Sequence, residues 1–129
     1  MDTVAQNEYY ELAYDGTRNW VYWTMKGKWA RMAVVPNFEK DWDTIQSKTK
    51  PGFMILADIS KLGIMPDDVK AAQDKRQQKL MQAGVAKLAT IVENEVQKMS
   101  MNKPLRGSCM DKVLKYCTEI REAEDFLNA

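Results

Sequence analysis

The sequence predicts an α/β fold with a mixed, mostly parallel sheet, an N-terminal β-hairpin and about four flanking helices. Predicted strands and helices alternate after residue 37, which is the order of right-handed strand–helix–strand units. The run 53–57, FMILA, is apolar throughout, which is typical of a strand that is covered on both faces. Two aromatic-rich segments before residue 26, separated by a turn signal, predict the hairpin.

The predicted hairpin pairs residues 9–14 with residues 19–25 across a turn at 15–17. Trp20 and Trp23 lie on opposite faces of its second strand, so both are buried only if both faces are covered. An uncovered face would leave an aromatic patch for a partner or ligand. The next apolar segment, 30–35, is either a third short strand or a connection that ends at Pro36.

Apolar spacing predicts the helices. Phe38, Trp42 and Ile45 recur at i, i+4 and i+7 after a plausible N-cap, Asn37. A second helix is predicted from about Pro66 to Ala83, and its run 70–79, KAAQDKRQQK, is interpreted as a solvated face. The remaining predicted elements are a strand over 85–92, a third helix over about 94–101, a last strand over 113–117 and a final helix capped by Thr118.

Composition limits the classes of function. The 129 residues predict one domain, 1–129, and a net charge of +1 argues against a dedicated nucleic-acid binder. No apolar run approaches the roughly 20 residues of a membrane helix, and residues 1–10 lack signal-peptide features, so a cytoplasmic protein is expected. The absence of histidine excludes Ser-His-Asp and Cys-His catalysis. Cys109 and Cys117 are interpreted as reduced thiols rather than zinc ligands, and we expect no metal or cofactor.

The candidate site lies in the segment 53–69, FMILADISKLGIMPDDV, where a predicted strand feeds a helix. Open α/β sheets place their working surface at the carboxyl ends of their strands. The residues predicted to form a partner or ligand surface are Asp58, Ser60, Met65, Asp67 and Asp68. Simpler roles remain open for the polar ones. Asp67 and Asp68 suit a helix N-terminus, Asp58 an Asx-type turn after the strand, and Ser60 a loop turn.

The order of these segments resembles the STAS domain, and more closely its stand-alone bacterial SpoIIAA-like branch, which is grouped with Sec14-like lipid-binding folds. The resemblance is carried by FMILADISKLGIMPDDV, GVAKLATIV and YCTEIREAEDFLNA. Sigma-regulating STAS proteins carry a phosphorylatable serine at the start of the second helix. Asp67 stands at that position here and Val69 at that of the motif's glycine, so the resemblance implies that no kinase acts on position 67.

These observations predict a non-enzymatic cytosolic binding or regulatory module that lacks the phospho-acceptor serine. Its protein partner is not identified, and a homodimer through apolar sheet or helix surface is open. The alternative is a carrier or sensor of a small apolar or lipid-like ligand. It rests on nine methionines, with Met99, Met101 and Met110 in one region, on four tryptophans and on the kinship with lipid-binding folds. An enzyme using Asp58, Asp67 and Asp68 as acid and base is a third class, without a converging nucleophile in the sequence.

Overall fold

A computed structural model of the chain describes residues 1–94 and 113–129, which form a sheet of six strands in the spatial order β1-β2-β3-β4-β5-β6. Strands β1 to β3 pair antiparallel, and β3 to β6 pair parallel. The predicted hairpin and the predicted mostly parallel sheet are therefore confirmed. The strands are β1 (Asp2–Gln6), β2 (Tyr10–Asp15), β3 (Trp20–Gly27), β4 (Met54–Leu62), β5 (Lys87–Ile91) and β6 (Leu114–Cys117).

Three α-helices connect or follow these strands in the described part of the chain. They are α1 (Phe38–Gln46), α2 (Asp67–Gln82) and α3 (Ile120–Asn128), and a short 3-10 turn, Met32–Val34, precedes α1. The predicted third helix over 94–101 lies almost wholly outside the described residues, as do Met99, Met101, Met110 and Cys109.

The two faces of the sheet carry separate cores. Helices α1 and α2 cover what we call the α1/α2 face, where Phe38, Trp42 and Ile45 of α1 are fully buried, as the spacing predicted. Helix α3 covers the α3 face through Ala123 and Leu127. Because both faces are covered, Trp20 and Trp23 are both buried, on the α3 face and the α1/α2 face respectively. Neither tryptophan forms an exposed aromatic patch.

Several boundaries differ from those predicted. Strand β1 was not predicted, since its sequence DTVAQ is short and largely exposed at the sheet edge. The segment 30–35 is a connection that contains the 3-10 turn, not a strand. Strand β4 continues beyond Ala57 to Leu62, because β3 also continues and pairs with it as far as Gly27. Asn37 occupies the N-cap of α1 as predicted, although its side chain makes no cap bond. At α3 the N-cap is Glu119 and not the predicted Thr118.

Candidate functional site: the β4–α2 loop and the start of α2

The β4–α2 loop, Gly63–Pro66, lies at the carboxyl ends of the parallel strands. It leaves β4 at Leu62 and enters α2 at Asp67, with Pro66 in an extended conformation at the N-cap. Proline suits this end of a helix because its missing N–H would have no partner there. The loop therefore occupies the place where the sequence predicted a working surface.

Asp58 and Ser60 lie inside β4, so the prediction that Asp58 ends the strand is wrong. One carboxylate oxygen of Asp58 accepts hydrogen bonds from the backbone N–H of Ser60 at 2.9 Å and from its hydroxyl at 2.7 Å. The expected local bonding of Asp58 to nearby amides is present, but within a strand. It coincides with a β-bulge, in which Ile59 and Ser60 together stand opposite the single Met25 of β3.

Met65 and Asp68 have structural contacts. The Met65 side chain is 5% exposed and belongs to the core of the α1/α2 face. A carboxylate oxygen of Asp68 accepts a hydrogen bond from the backbone N–H of Met32 at 2.8 Å. This bond links the connection after β3 to the first turn of α2. Asp67 is exposed at the first residue of α2, where its charge also suits the helix dipole.

The predicted set of five residues is divided between two faces of the sheet. Side chains alternate along β4, and Ala57 belongs to the core of the α1/α2 face while Leu56 belongs to that of the α3 face. Asp58 follows Leu56 by two positions and therefore points to the α3 face, with Ser60 bonded to it. Met65 is buried on the α1/α2 face, where α2 begins. Asp67 is the one member of the set that is exposed at the loop and makes no side-chain bond to the residues that the structure describes.

The most exposed large apolar side chain of the described residues is Ile64, in the middle of the loop, at 91% exposure. The sequence analysis selected its neighbour Met65 instead, which is buried. An isoleucine between Gly63 and Pro66, in a segment where loop residues are ordinarily polar, was the available signal. Ile64 and Asp67 give the loop one apolar and one acidic contact group.

Helix α2 buries a polar layer against the sheet and α1, so the prediction of a solvated face over 70–79 is wrong. Gln73, Arg76 and Gln77 are at most 2% exposed. They lie at i, i+3 and i+4, on the same side of α2 as Val69 and Leu80. The helix was predicted correctly from the sequence, but its buried side was not, because that side is mostly polar.

Arg76 joins α2 to α1. Its guanidinium donates to a Glu39 carboxylate oxygen at 2.8 Å, to Asp43 at 3.1 Å and to the Gln46 side-chain carbonyl at 3.0 Å. The Arg76 Cζ atom also lies 5.6 Å from the centre of the Trp42 ring, within cation–π range. These partners compensate the burial of a full charge.

An enclosed cavity lies between α2 and strands β3, β4 and β5. Its free space for the centre of a water molecule is ≈ 10 Å³. Gln77 and Thr90 contribute polar groups to a wall that is otherwise mostly apolar. The residues that line it are Trp23, Met25, Ala57, Ile59, Gln77, Leu88 and Thr90.

Within residues 1–94 and 113–129, no group of three or more acidic or cysteine side chains is placed to hold a metal ion. Cys117 is a buried free thiol, and burial raises its pKa. None of the helices described for these residues has the length and apolarity needed to cross a membrane.

Comparison with known proteins defines the fold class. The chain is similar to the crystal structure of an uncharacterized protein of the DUF3478 family, with a SpoIIAA-like fold, from Shewanella loihica. The TM-score is 0.67 at 14% sequence identity, over 95% of this chain and 97% of that one. No protein-family model and no curated protein matches the sequence. The chain has a SpoIIAA-like α/β fold, as the resemblance implied.

Proposed function

We propose that the chain is a non-enzymatic module that binds a protein partner through the β4–α2 loop and the start of α2. The observation that carries this proposal is the exposure of Ile64, at 91%, on a loop at the carboxyl ends of the parallel strands. Exposing an isoleucine to water is unfavourable for the isolated chain, and a partner that covers it recovers that free energy. Asp67 adds a neighbouring charge that selects a partner with a basic or amide-rich contact.

The contacts of Asp68 and Met65 support the same surface in another way. Asp68 holds the connection before α1, and Met65 anchors the loop in the core. At the other end the Gly63 N–H donates to the Gly27 carbonyl at 2.9 Å, so both ends of the loop are fixed. A loop fixed at both ends presents Ile64 with little conformational freedom to lose on binding. Constitutive binding follows, since position 67 has no hydroxyl for a kinase to modify.

The test compares partner capture by three variants in lysate from the native host. Ile64→Ser and Asp67→Asn should each lose the partners that the unchanged protein captures, as quantified by mass spectrometry. Ile120→Ser is the matched control, because Ile120 is also exposed, at 59%, but lies at the start of α3. Asp68→Ala is unsuitable, since it also removes the bond to Met32. Unchanged capture by Ile64→Ser, with capture altered instead by Ile120→Ser, would contradict this surface.

The carrier of a small apolar ligand remains the second proposal, and it makes a different demand on the structure. A drug-sized ligand needs a pocket of about 300 Å³ or more. The cavity beneath α2, at ≈ 10 Å³, would have to expand greatly to hold one. Native mass spectrometry of protein purified without detergent distinguishes the two proposals. Bound lipid supports the carrier, and a mass equal to that of the polypeptide supports the partner-binding module. The same spectra report whether the chain forms a homodimer.

A further inference from the structure

The interface between α1, α2 and β3 contains buried polar atoms that have no hydrogen-bond partner within the part of the chain that the structure describes. They are Trp23 Nε1, Trp42 Nε1, Arg76 Nε, and both Nε2 and Oε1 of Gln73. The two indole rings and the Arg76 guanidinium are close neighbours. The Trp23 and Trp42 rings are 4.8 Å apart and nearly perpendicular, and Arg76 lies over Trp42. Four of these five atoms are donors, so an occupant of this region must chiefly accept hydrogen bonds.

Buried polar groups in native proteins are almost always bonded to protein or to ordered water. Among residues 1–94 and 113–129, no group accepts a hydrogen bond from the Trp23 indole N–H, and Trp23 is only 4% exposed. Trp23 lines the enclosed cavity beneath α2. A buried donor that lacks a partner among the described residues therefore belongs to a residue that lines this cavity.

The volume of the cavity and the polar groups around it limit what can bind there. Its ≈ 10 Å³ of free space corresponds to about one water molecule. Three of the lining residues carry polar side-chain groups, namely Trp23, Gln77 and Thr90. The Trp23 indole N–H and the Thr90 hydroxyl are enough to meet the minimum of two polar partners that a buried water needs. An anion is disfavoured, because Arg76, the fully buried cation of α2, is already paired with Glu39 and Asp43.

We propose that the cavity beneath α2 is a binding site for an ordered water molecule, which accepts a hydrogen bond from Trp23 Nε1 and contacts Thr90 and Gln77. The site is distinct from the β4–α2 loop and does not depend on the proposed function. The cavity beneath α2 would therefore bind a small neutral hydrogen-bond acceptor and would not bind an acyl chain.

Nuclear magnetic resonance tests this site in the unchanged protein. The indole N–H of Trp23 should show a direct nuclear Overhauser effect to long-lived water. Trp29 is the internal control, because it is fully buried and its indole N–H donates to the carbonyls of Lys26, at 3.0 Å, and Tyr9, at 3.2 Å. Trp29 should therefore show no such effect. Absence of the effect at Trp23, or a copurifying molecule larger than water in contact with it, would overturn the proposal.

A substitution provides an independent test. Thr90→Val keeps the side-chain shape but removes a partner of the water, so the urea midpoint of unfolding should fall. Thr24→Val is the matched control, since Thr24 is a half-exposed threonine of β3 outside the cavity lining. If the cavity is dry, Thr90→Val should leave the midpoint unchanged or raise it. A midpoint that falls no further for Thr90→Val than for Thr24→Val would count against the water.

Discussion

Arg76 is a charged residue whose burial could not be predicted from the sequence. In the sequence it interrupts the apolar positions of the second helix, and in the structure it is fully buried against α1. A long side chain that carries a charge can be buried where another element supplies acceptors. Here Glu39, Asp43 and Gln46 do so. Sequence periodicity cannot identify such a residue, because the acceptors lie 30 to 37 positions earlier in the chain.

Two substitutions of Arg76 separate its volume from its charge. Arg76→Ala should lower the free energy of unfolding by about 2–4 kcal/mol, because it empties a fully buried site. Arg76→Met fills much of that volume, and the carboxylates it releases, Glu39 and Asp43, can turn to water because both are substantially exposed. Its cost should be below about 1.5 kcal/mol. Urea unfolding measures both values. Equal costs for the two variants would show that the charge, and not the volume, dominates.

Ser60 carries the only hydroxyl between residues 53 and 70, and its position argues against phosphorylation. Its side chain is half-buried in β4, and its hydroxyl donates to the Asp58 carboxylate. A phosphate there would face a like charge at close range. Mass spectrometry of the 53–70 peptide from the native host should therefore show no species heavier by about 80 Da, the mass that one phosphate adds. A stoichiometric phosphate on Ser60 would restore a switch model.

At the scale of elements, a helix could be predicted together with its buried residues only where those residues are apolar. Helix α1 was predicted with its buried residues, because Phe38, Trp42 and Ile45 are large and apolar. The extent of α2 was predicted almost as well, but its buried polar side was not. The end of β4 was misplaced because Asp58 and Ser60 satisfy each other locally and the strand continues beyond them. This bond within a strand could not be predicted from the sequence, because the same residues also suit a turn.

Asp67 and Asp68 offer a paired test of how α2 is attached. Both stand in the first turn of α2, so replacing either by alanine loses a helix-dipole interaction of about 0.3–1 kcal/mol. Asp68→Ala also removes the acceptor of the Met32 N–H, and should cost about 1 kcal/mol more than Asp67→Ala. Hydrogen exchange at Val34 and its neighbours in the 3-10 turn should accelerate only in Asp68→Ala. Equal stability and equal exchange rates in the two variants would show that the bond from the Met32 N–H to Asp68 does not stabilise the attachment of α2.

For the whole molecule, the fold was more predictable than the site. The order and spacing of strands and helices were enough to indicate a SpoIIAA-like fold, which a solved structure only 14% identical in sequence shares. A site depends on finer details, because side-chain packing decides which residues are exposed and which face of the sheet they lie on. Whether Met65 or Ile64 is exposed depends on the path of four loop residues, and Asp58 and Asp67 are separated by the sheet itself. Neither fact is encoded in local composition.

Alkaline pH should destabilise the whole molecule through three tyrosines that the fold partly or wholly shields from water. Burial raises the pKa of Tyr116 to about 12, and it also raises the pKa of Tyr22 and, together with a hydrogen bond to Asp41, that of Tyr10. Tyrosine in an unfolded chain has a pKa of about 10. Above pH 10 the folded state therefore holds more protons than the unfolded state, and stability falls as pH rises towards 12.

Urea unfolding between pH 8 and pH 11 measures this dependence. The midpoint should be nearly constant up to about pH 9.5 and then fall, because in that range these three tyrosines ionise more readily in the unfolded chain than in the folded one. Tyr116→Phe removes one of the three groups and should make the alkaline fall shallower. If Tyr116→Phe leaves the fall as steep as in the unchanged protein, the ionisation of Tyr116 is not linked to unfolding, and its burial is not maintained in solution.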